Sequence, residues 1–267
     1  MCGRYLLDAS PQMLADSFAA VDRLRAQLHP RYNAAPGQLL PVVVPGAEGA
    51  PGGARVLELA QWGLVPPPGS GPPMLVNARA EQLGRSRAHR EAFQHGRCVV
   101  PATGFYEWTD APDDEPAEDD VDSGESSVLV DEEPEPDRLF DPGPPTEGTR
   151  ARRPKRQRVP WCFRPAAEGE VFAFAAVASD VADPHGQARR AFAIVTTMPN
   201  ELVQPVHDRM PAILDPAELD QWLHGTADEA KAAIRSWPAG AMRSHRVGTA
   251  VNDARTDGPE LIQPLES

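Results

Sequence analysis

The sequence of 267 residues predicts an α+β fold in which a curved, barrel-like and mainly antiparallel sheet is flanked by helices. Short apolar segments bounded by Gly, Pro and Asp recur through most of the chain, as in proteins built mainly from strands. Helical patterns are fewer and do not alternate regularly with the strands, which argues against a parallel α/β sheet. Hydrophobic residues make up 41% of the chain, which is enough for a core.

Five segments rich in β-branched and aromatic residues are predicted to form strands, because turn-forming residues separate them from one another. They are residues 39–44, 55–59, 98–100, 171–177 and 191–196. Helices are expected at four places. Ser10 followed by Pro11 predicts the start of the first, because Ser caps free backbone N–H groups and Pro fits the first helical position. We expect this helix to run to about Leu28, and three others to cover residues 81–93, 215–223 and 228–237.

The net charge of −13 is concentrated in one segment. Residues 110–147 hold 16 Asp and Glu against one Arg, a local net charge of −15 that leaves +2 for the rest of the chain. The segment is rich in Pro, Gly and Ser and poor in aromatic residues, a composition typical of disorder, and a basic run ending at Arg158 follows it. We therefore predict one domain formed by residues 1–109 and 159–267, with a disordered acidic-then-basic insertion at 110–158.

Two hypotheses remain for this insertion. The first is a solvated linker without a further role. In the second, the acidic run competes with nucleic acid for a basic groove on the domain, or the basic run extends that groove.

Composition excludes several classes of protein. No apolar run approaches the roughly 20 residues of a membrane-spanning helix, and the N-terminus lacks the layout of a signal peptide, so we expect a cytoplasmic protein without a membrane partner. Cys2, Cys98 and Cys162 are far apart and form no CxxC pair, which predicts neither a disulfide framework nor a metal site. Cys98 and Cys162 lie in apolar surroundings and are expected in the core, and no cofactor is predicted.

The chain begins Met1-Cys2-Gly3, and removal of Met1 would leave Cys2 with a free α-amine beside its thiol. Both groups are partly reactive near neutral pH, because their ordinary pKa values are about 7.7–8.0 and about 8.5. An aldehyde is their natural target, since the amine can form an imine and the thiol can then close a five-membered thiazolidine. The alternative is that Cys2 has no catalytic role and stands at the second position by chance.

Three polar residues stand in surroundings that suit proton transfer or binding. Asn77 alternates with Arg79 and Glu81, which places the three side chains on one face of an extended segment. Glu107 lies among aromatic residues, a setting that tends to raise a carboxyl pKa, and His207 precedes a turn. Each has a structural alternative: Asn77 as a turn residue, Glu107 as a salt-bridged strand residue and His207 as a core histidine.

Taken together, eight segments in order resemble the SRAP family, whose name derives from the SOS response and from a peptidase label. They are residues 1–5, 31–37, 62–66, 77–81, 96–98, 104–108, 207–211 and 260–264, that is MCGRY, RYNAAPG, WGLVP, NARAE, GRC, GFYEW, HDRMP and ELIQP. The resemblance covers the chain from residue 1 to about 264 apart from the insertion. One departure is that Pro66-Pro67-Pro68 stands where the family often has a further Trp.

The resemblance implies a single SRAP-like domain that crosslinks to abasic sites in single-stranded DNA through a thiazolidine at Cys2, and so shields them during the response to DNA damage. By motif position, Asn77 would orient the reacting groups, Glu107 would move protons and His207 would assist sugar ring opening. A lyase side activity at the 3′ phosphate is expected, as is a cytoplasmic, nucleoid-associated monomer. The DNA-binding residues assigned on this basis are Arg4, Asn33, Trp62, Arg79, Arg85, Arg87 and Arg209.

Two other functions remain open from the residues alone. Cys2, His207 and Asn77 imitate the Cys-His-Asn set of thiol peptidases, which would include an autopeptidase that removes Met1. The third hypothesis is a non-catalytic single-strand binder that stacks bases on Trp62 and Tyr32.

Overall fold

A computed structural model describes residues 2–24, 28–46, 55–66, 69, 74–110, 158–182 and 188–265. The strands are β1 (Arg4–Leu7), β2 (Ala20–Asp22), β3 (Arg31–Ala34), β4 (Leu39–Pro45), β5 (Arg55–Trp62), β6 (Asn77–Arg79), β7 (Arg97–Ala102), β8 (Gly104–Asp110), β9 (Arg158–Pro165), β10 (Phe172–Ala182), β11 (Ala188–Thr197), β12 (Met210–Pro211) and β13 (Met242–Arg246). The α-helices are α1 (Pro11–Phe18), α2 (Arg90–His95), α3 (Leu219–His224) and α4 (Ala227–Ala232).

The larger sheet closes on itself. Antiparallel pairs join β11 to β10, β10 to β7, β7 to β4 and β4 to β5. A parallel pairing of β5 with β11, at Gln61 with Ala191 and Trp62 with Phe192, completes a five-stranded barrel. β2 extends the sheet beside β5, and β6 and β12 pair with β11. The predicted α+β architecture with a barrel-like, mainly antiparallel sheet is therefore confirmed.

The second sheet has five strands in the order β13-β9-β8-β1-β3, and its central strands β8 and β1 have buried side chains on both faces. Side chains alternate across it, as the pleat of a strand requires. Tyr5 and Phe105 face the main core, whereas Leu6 and Tyr106 face a smaller core formed with the C-terminal segment. The same alternation places Glu107 on the side of Phe105, toward the main core.

The five predicted strands are confirmed as β4, β5, β7, β10 and β11, each longer than expected. The first helix begins as predicted, and the Ser10 side chain accepts a hydrogen bond from the Met13 N–H. It ends at Phe18 instead of about Leu28, because Ala19 adopts a left-handed conformation with φ of 47° and the chain then joins β5 as β2. The gain from strand pairing outweighs the helical preference of the following residues.

The prediction of a helix over residues 81–93 is wrong for most of its length. Residues 80–82 form one 3-10 turn, and Gly84 has a φ of 77°, which no right-handed helix contains. Only α2 is helical there. The third and fourth predicted helices are confirmed as a 3-10 turn followed by α3 and as α4, which ends at Ala232.

The predicted insertion at 110–158 lies almost wholly outside the described residues and stays a prediction. The strands on either side of it, β8 and β9, are adjacent in the second sheet. No helix among the described residues is long and apolar enough to cross a membrane.

Candidate active site

Cys2 lies fully buried where the two sheets meet. Its backbone leads into β1, which pairs with β8 so that Arg4 is opposite Tyr106. Glu107 follows Tyr106 on β8, and its carboxylate acts electrostatically on the Cys2 thiol. The Cys2 thiol points toward the Arg4 carbonyl, with the sulfur 3.9 Å from the oxygen.

Asn77 approaches Cys2 from the other sheet. It is the first residue of β6, and its Nδ2 donates a hydrogen bond of 2.9 Å to the Cys2 carbonyl. Its Oδ1 is buried and has no hydrogen-bond partner among the residues that the structure describes. The Asn77 amide thus holds the backbone of Cys2 and keeps one acceptor available beside it.

Glu107 and His207 form the third side of the site. Glu107 is 1% exposed, and its Oε2 lies 3.8 Å from Nε2 of His207. The His207 ring is held from behind, because its Nδ1 accepts a hydrogen bond of 3.0 Å from the Arg209 backbone N–H. Asp208 Oδ1 is also 3.1 Å from this Nδ1. The ring therefore presents Nε2 toward the carboxylate next to Cys2.

The environment keeps the Cys2 thiol protonated. Burial raises its pKa well above the ordinary value, and the negative charge of Glu107 raises it further. A thiol in this position is a poor nucleophile until a base removes its proton, since the thiolate is the reactive form. Cys2, Asn77, Glu107 and His207, assigned above to catalysis, are thus brought together in one site, in which Cys2 and Glu107 are buried and Asn77 and His207 are half-buried.

Arg209 is part of the framework of the site. Its guanidinium donates two hydrogen bonds to the Glu81 carboxylate, at 2.9 and 2.8 Å, and one of 2.8 Å to the Thr196 carbonyl. These bonds from Arg209 hold the pKa of the Glu81 carboxyl below its usual value. A paired guanidinium that is 9% exposed braces the loop carrying His207, so its predicted contact with phosphate is limited to its exposed edge.

Two predicted DNA-binding residues instead hold the C-terminal segment. Arg4 donates to Asn33 Oδ1 at 2.9 Å and to the Val251 carbonyl at 2.8 Å, and burial lowers the pKa of its guanidinium. Asn33 is 1% exposed, and its Nδ2 donates to three backbone carbonyls of that segment. Both side chains thus hold the C-terminal segment in this structure, and their assignment to DNA stays a prediction.

Trp62, assigned above to DNA binding, is buried as well. Its side chain is fully buried, its Nε1 donates to the Val76 carbonyl at 2.9 Å, and its ring packs against Tyr5 and Phe192. The ring therefore fills the closure of the barrel and offers no face to a base. Arg79, Arg85 and Arg87, by contrast, are exposed, as their predicted contacts with phosphates require.

Sequence reasoning did not select two further residues that support the site. Glu81 was visible as the third member of an alternating polar pattern, but its partner Arg209 lies 128 positions away. Asn252 accepts a hydrogen bond of 2.7 Å from Trp108 Nε1 next to Glu107, and no sequence pattern indicates that contact. Among the described residues, no group of three or more His, Cys, Asp or Glu side chains is placed to hold a metal ion.

Several proteins of known name are similar in sequence to this chain over most of its length. The abasic site processing protein YoqW of Bacillus subtilis (strain 168) is 27% identical, with 98% of this chain and 99% of the relative covered. YedK of Escherichia coli (strain K12), which has the same descriptive name, is 26% identical over 99% of this chain and 100% of the relative. HMCES of Gallus gallus, also so named, is 28% identical over 100% of this chain and 78% of the relative.

Solved structures and family models extend the comparison. A crystal structure of a protein from Bacteroides thetaiotaomicron superposes with a TM-score of 0.70 at 18% identity, with 99% of this chain and 100% of that one covered. The model of the family described as SOS response associated peptidase (SRAP) matches residues 1–120 and 149–254. Since that match includes most of the chain, this protein belongs to the SRAP family.

Proposed function

We propose that this protein processes abasic sites in single-stranded DNA by forming a covalent bond to them through Cys2. The observation that supports this most is the convergence of Cys2 with an amide, a carboxylate and an imidazole from distant parts of the chain. Its relatives YoqW, YedK and HMCES are named abasic site processing proteins. We place the reaction in the response to DNA damage, on account of the family to which the chain belongs.

The reaction requires removal of Met1, which leaves a free α-amine on Cys2. The ring-opened abasic sugar carries an aldehyde at C1′. The amine nitrogen bonds to C1′ to give a carbinolamine, which loses water to form an imine. The Cys2 sulfur then bonds to the same carbon, its proton passes to the nitrogen, and a five-membered thiazolidine closes. One aldehyde and one aminothiol thus give one ring and one water.

The neighbours of Cys2 match these steps. Asn77 holds the Cys2 carbonyl, and its free Oδ1 is suited to accept a hydrogen bond from the α-amine. Glu107 and His207 can together remove the proton of the C1′ hydroxyl as the sugar ring opens. They can also donate a proton to the oxygen that leaves as water when the imine forms. We assign the first bond to the amine and the second to the sulfur, because the imine must form before the thiol can close the ring.

We assign DNA binding to the exposed arginines Arg79, Arg85 and Arg87, whose guanidinium groups suit phosphate oxygens. The peptidase hypothesis is less well supported. A Cys-His-Asn peptidase needs its Asn to orient the His, whereas Asn77 donates to the Cys2 carbonyl. A fully buried thiol with a raised pKa also suits attack on an external peptide poorly.

Incubation with uracil-excised single-stranded DNA, followed by denaturing electrophoresis, tests the proposal. The wild type should give a heat-stable adduct on the N-terminal peptide. Cys2→Ser should form an imine that borohydride traps but should lose the heat-stable adduct, because an oxygen ring is less stable. Cys98→Ser is the matched control and should crosslink like the wild type. A heat-stable Cys2→Ser adduct at wild-type yield would contradict the thiazolidine.

A lyase side reaction follows from the same imine. The imine acidifies the hydrogens at C2′, so loss of one of them breaks the bond to the 3′ phosphate, whereas ring closure by the thiol removes the imine. Cys2→Ser should therefore cleave the strand more than the wild type does. Residues left ahead of Cys2 should abolish both products, since they convert the amine to an amide.

A further inference from the structure

Met198 is the most exposed large hydrophobic side chain among the described residues, at 62%. It directly follows β11, and its sulfur lies 3.5 Å from Nη1 of Arg209. Exposed apolar side chains are common on protein surfaces, so exposure alone carries no functional meaning. The position of Met198 relative to the site is what distinguishes it.

The pairing of β6 with β11 gives that position. Asn77 is opposite Ile194 and Arg79 is opposite Thr196, so the two strands run together away from Cys2. Met198 is four residues beyond Ile194, or about 13 Å at 3.3 Å per residue. It therefore lies just past Arg79 on the outward path from Asn77. A DNA strand with its abasic sugar at Cys2 and a phosphate at Arg79 would bring the next nucleotide to Met198.

Abasic DNA offers a particular surface at this point. Because the lesion lacks a base, the neighbouring base has one apolar face without a stacking partner. Methionine is among the apolar side chains that proteins insert at base steps, and its thioether is flexible and packs well against aromatic rings. Arg209, which Glu81 holds in place, contacts the Met198 sulfur and so fixes the thioether at the end of β11.

We propose that Met198 covers the unstacked face of the base adjacent to the abasic sugar and thereby contributes to recognition of the lesion. This inference rests on the proposed function. It assigns to Met198 the role of a specificity residue for the DNA strand, separate from the chemistry at Cys2.

Oxidation mapping of the full-length protein tests the contact. Mild peroxide should oxidise the exposed Met13 and Met198 and spare the buried Met210 and Met242. A single-stranded oligonucleotide with one tetrahydrofuran abasic analogue, which has no aldehyde and cannot crosslink, should protect Met198 at least about fivefold and leave Met13 unchanged. Mass spectrometry of the peptides gives both rates.

Affinity measurements test the energetic role. Met198→Ala should weaken binding of that oligonucleotide by about three- to tenfold, at the low end of base-stacking effects, and Met198→Leu should restore it. A second oligonucleotide carries a further analogue in place of the base on one side of the lesion. If Met198 contacts that base, the wild type should bind this oligonucleotide about three- to tenfold more weakly, and Met198→Ala should cause no further loss of affinity. Met13→Ala is the matched control and should bind like the wild type.

The outcomes separate this inference from the proposed function. Binding with Met198 unprotected, or a Met198→Ala effect that persists when either adjacent base is removed, would overturn the inference alone. Failure of the wild type to bind the analogue while it still crosslinks to true abasic DNA would also overturn the inference alone. Failure to crosslink to true abasic DNA would overturn both.

Discussion

At the scale of single residues, the site combines a thiol that is kept protonated with a buried carboxylate beside it. Glu107 has two effects in this arrangement, because its charge raises the pKa of the Cys2 thiol while its oxygen faces the His207 ring. In the proposed reaction, the amine bonds to the aldehyde first and the sulfur second.

Replacing the acid–base pair should slow the chemistry without preventing DNA binding. Glu107→Gln and His207→Ala should each slow crosslinking by about 10²–10⁴-fold, the usual cost of removing one general acid–base group. Glu107→Gln should also lower the pKa of the Cys2 thiol, since it removes a negative charge. Single-turnover crosslinking and affinity for the tetrahydrofuran oligonucleotide give the two readouts. Wild-type rates for both variants would refute these roles.

At this scale the sequence indicated which residues come together but not which are buried. Cys2, Asn77, Glu107 and His207 could be selected only as a set, because each alone has a structural alternative and the family resemblance links them. Trp62 and Asn33 could not be placed, because an aromatic or amide side chain before a Gly or Pro turn suits the core as well as the surface. The Glu81–Arg209 pair was hidden because contacts between distant positions leave no local pattern.

At the scale of elements, strand pairing determines the short strands and the helix ends, which the local preferences of the residues do not predict. The strands with continuous apolar runs were predictable, because any location in a barrel wall suits them. β2 and β6 are three residues each, and they exist only because β5 and β11 offer free edges to pair with. Helix ends depended on Ala19 and Gly84, whose backbone conformations follow from the path of the chain.

The barrel closure gives a prediction for Trp62. Trp62→Phe removes the hydrogen bond to the Val76 carbonyl and part of a buried ring, so the free energy of unfolding should fall by about 1–3 kcal/mol. The affinity of the folded protein for single-stranded DNA should not change. Urea denaturation and fluorescence anisotropy measure the two quantities. Unaltered stability with weakened DNA binding would restore Trp62 as a base-stacking residue.

At the scale of the whole molecule, buried thiols predict sensitivity to alkali. Burial raises the pKa of Cys2, and it raises those of Cys98 and Cys162 to about 12. A group whose pKa is raised by folding contributes its full stability below its unfolded pKa, about 8.5 for Cys, and loses it as the pH rises toward the folded value. Between pH 8.5 and the folded pKa, each thiol should therefore lower the free energy of unfolding by about 1.4 kcal/mol per pH unit.

Thermal unfolding between pH 7.5 and 10 measures this slope. Cys98→Ala combined with Cys162→Ala should lower the stability at pH 7.5 but flatten its further decline, since two of the three titrating thiols are gone. Equal slopes for the variant and the wild type would assign the alkaline loss to groups other than Cys98 and Cys162.

The insertion gives a second prediction at this scale. Deletion of residues 110–147 should leave the affinity for single-stranded DNA and its salt dependence nearly unchanged, because exposed charges are largely screened beyond about 8 Å at physiological salt. Measuring affinity at two salt concentrations for both proteins tests this. A tighter complex with a steeper salt dependence would instead indicate that the acidic run occupies the DNA-binding groove.

The site residues are far apart in the sequence, so Cys2 is synthesised well before the residues that surround it in the folded protein. Cys2 leaves the ribosome first, whereas His207 and the Val251 carbonyl that clamps Arg4 follow more than 200 residues later. At about 5–20 residues per second, this delay is about 10–40 s. If Met1 is removed early, as the proposed reaction requires, the aminothiol is accessible to small aldehydes during this delay. We therefore expect protein made under carbonyl stress to carry aldehyde adducts at Cys2 and to be inactive when folded.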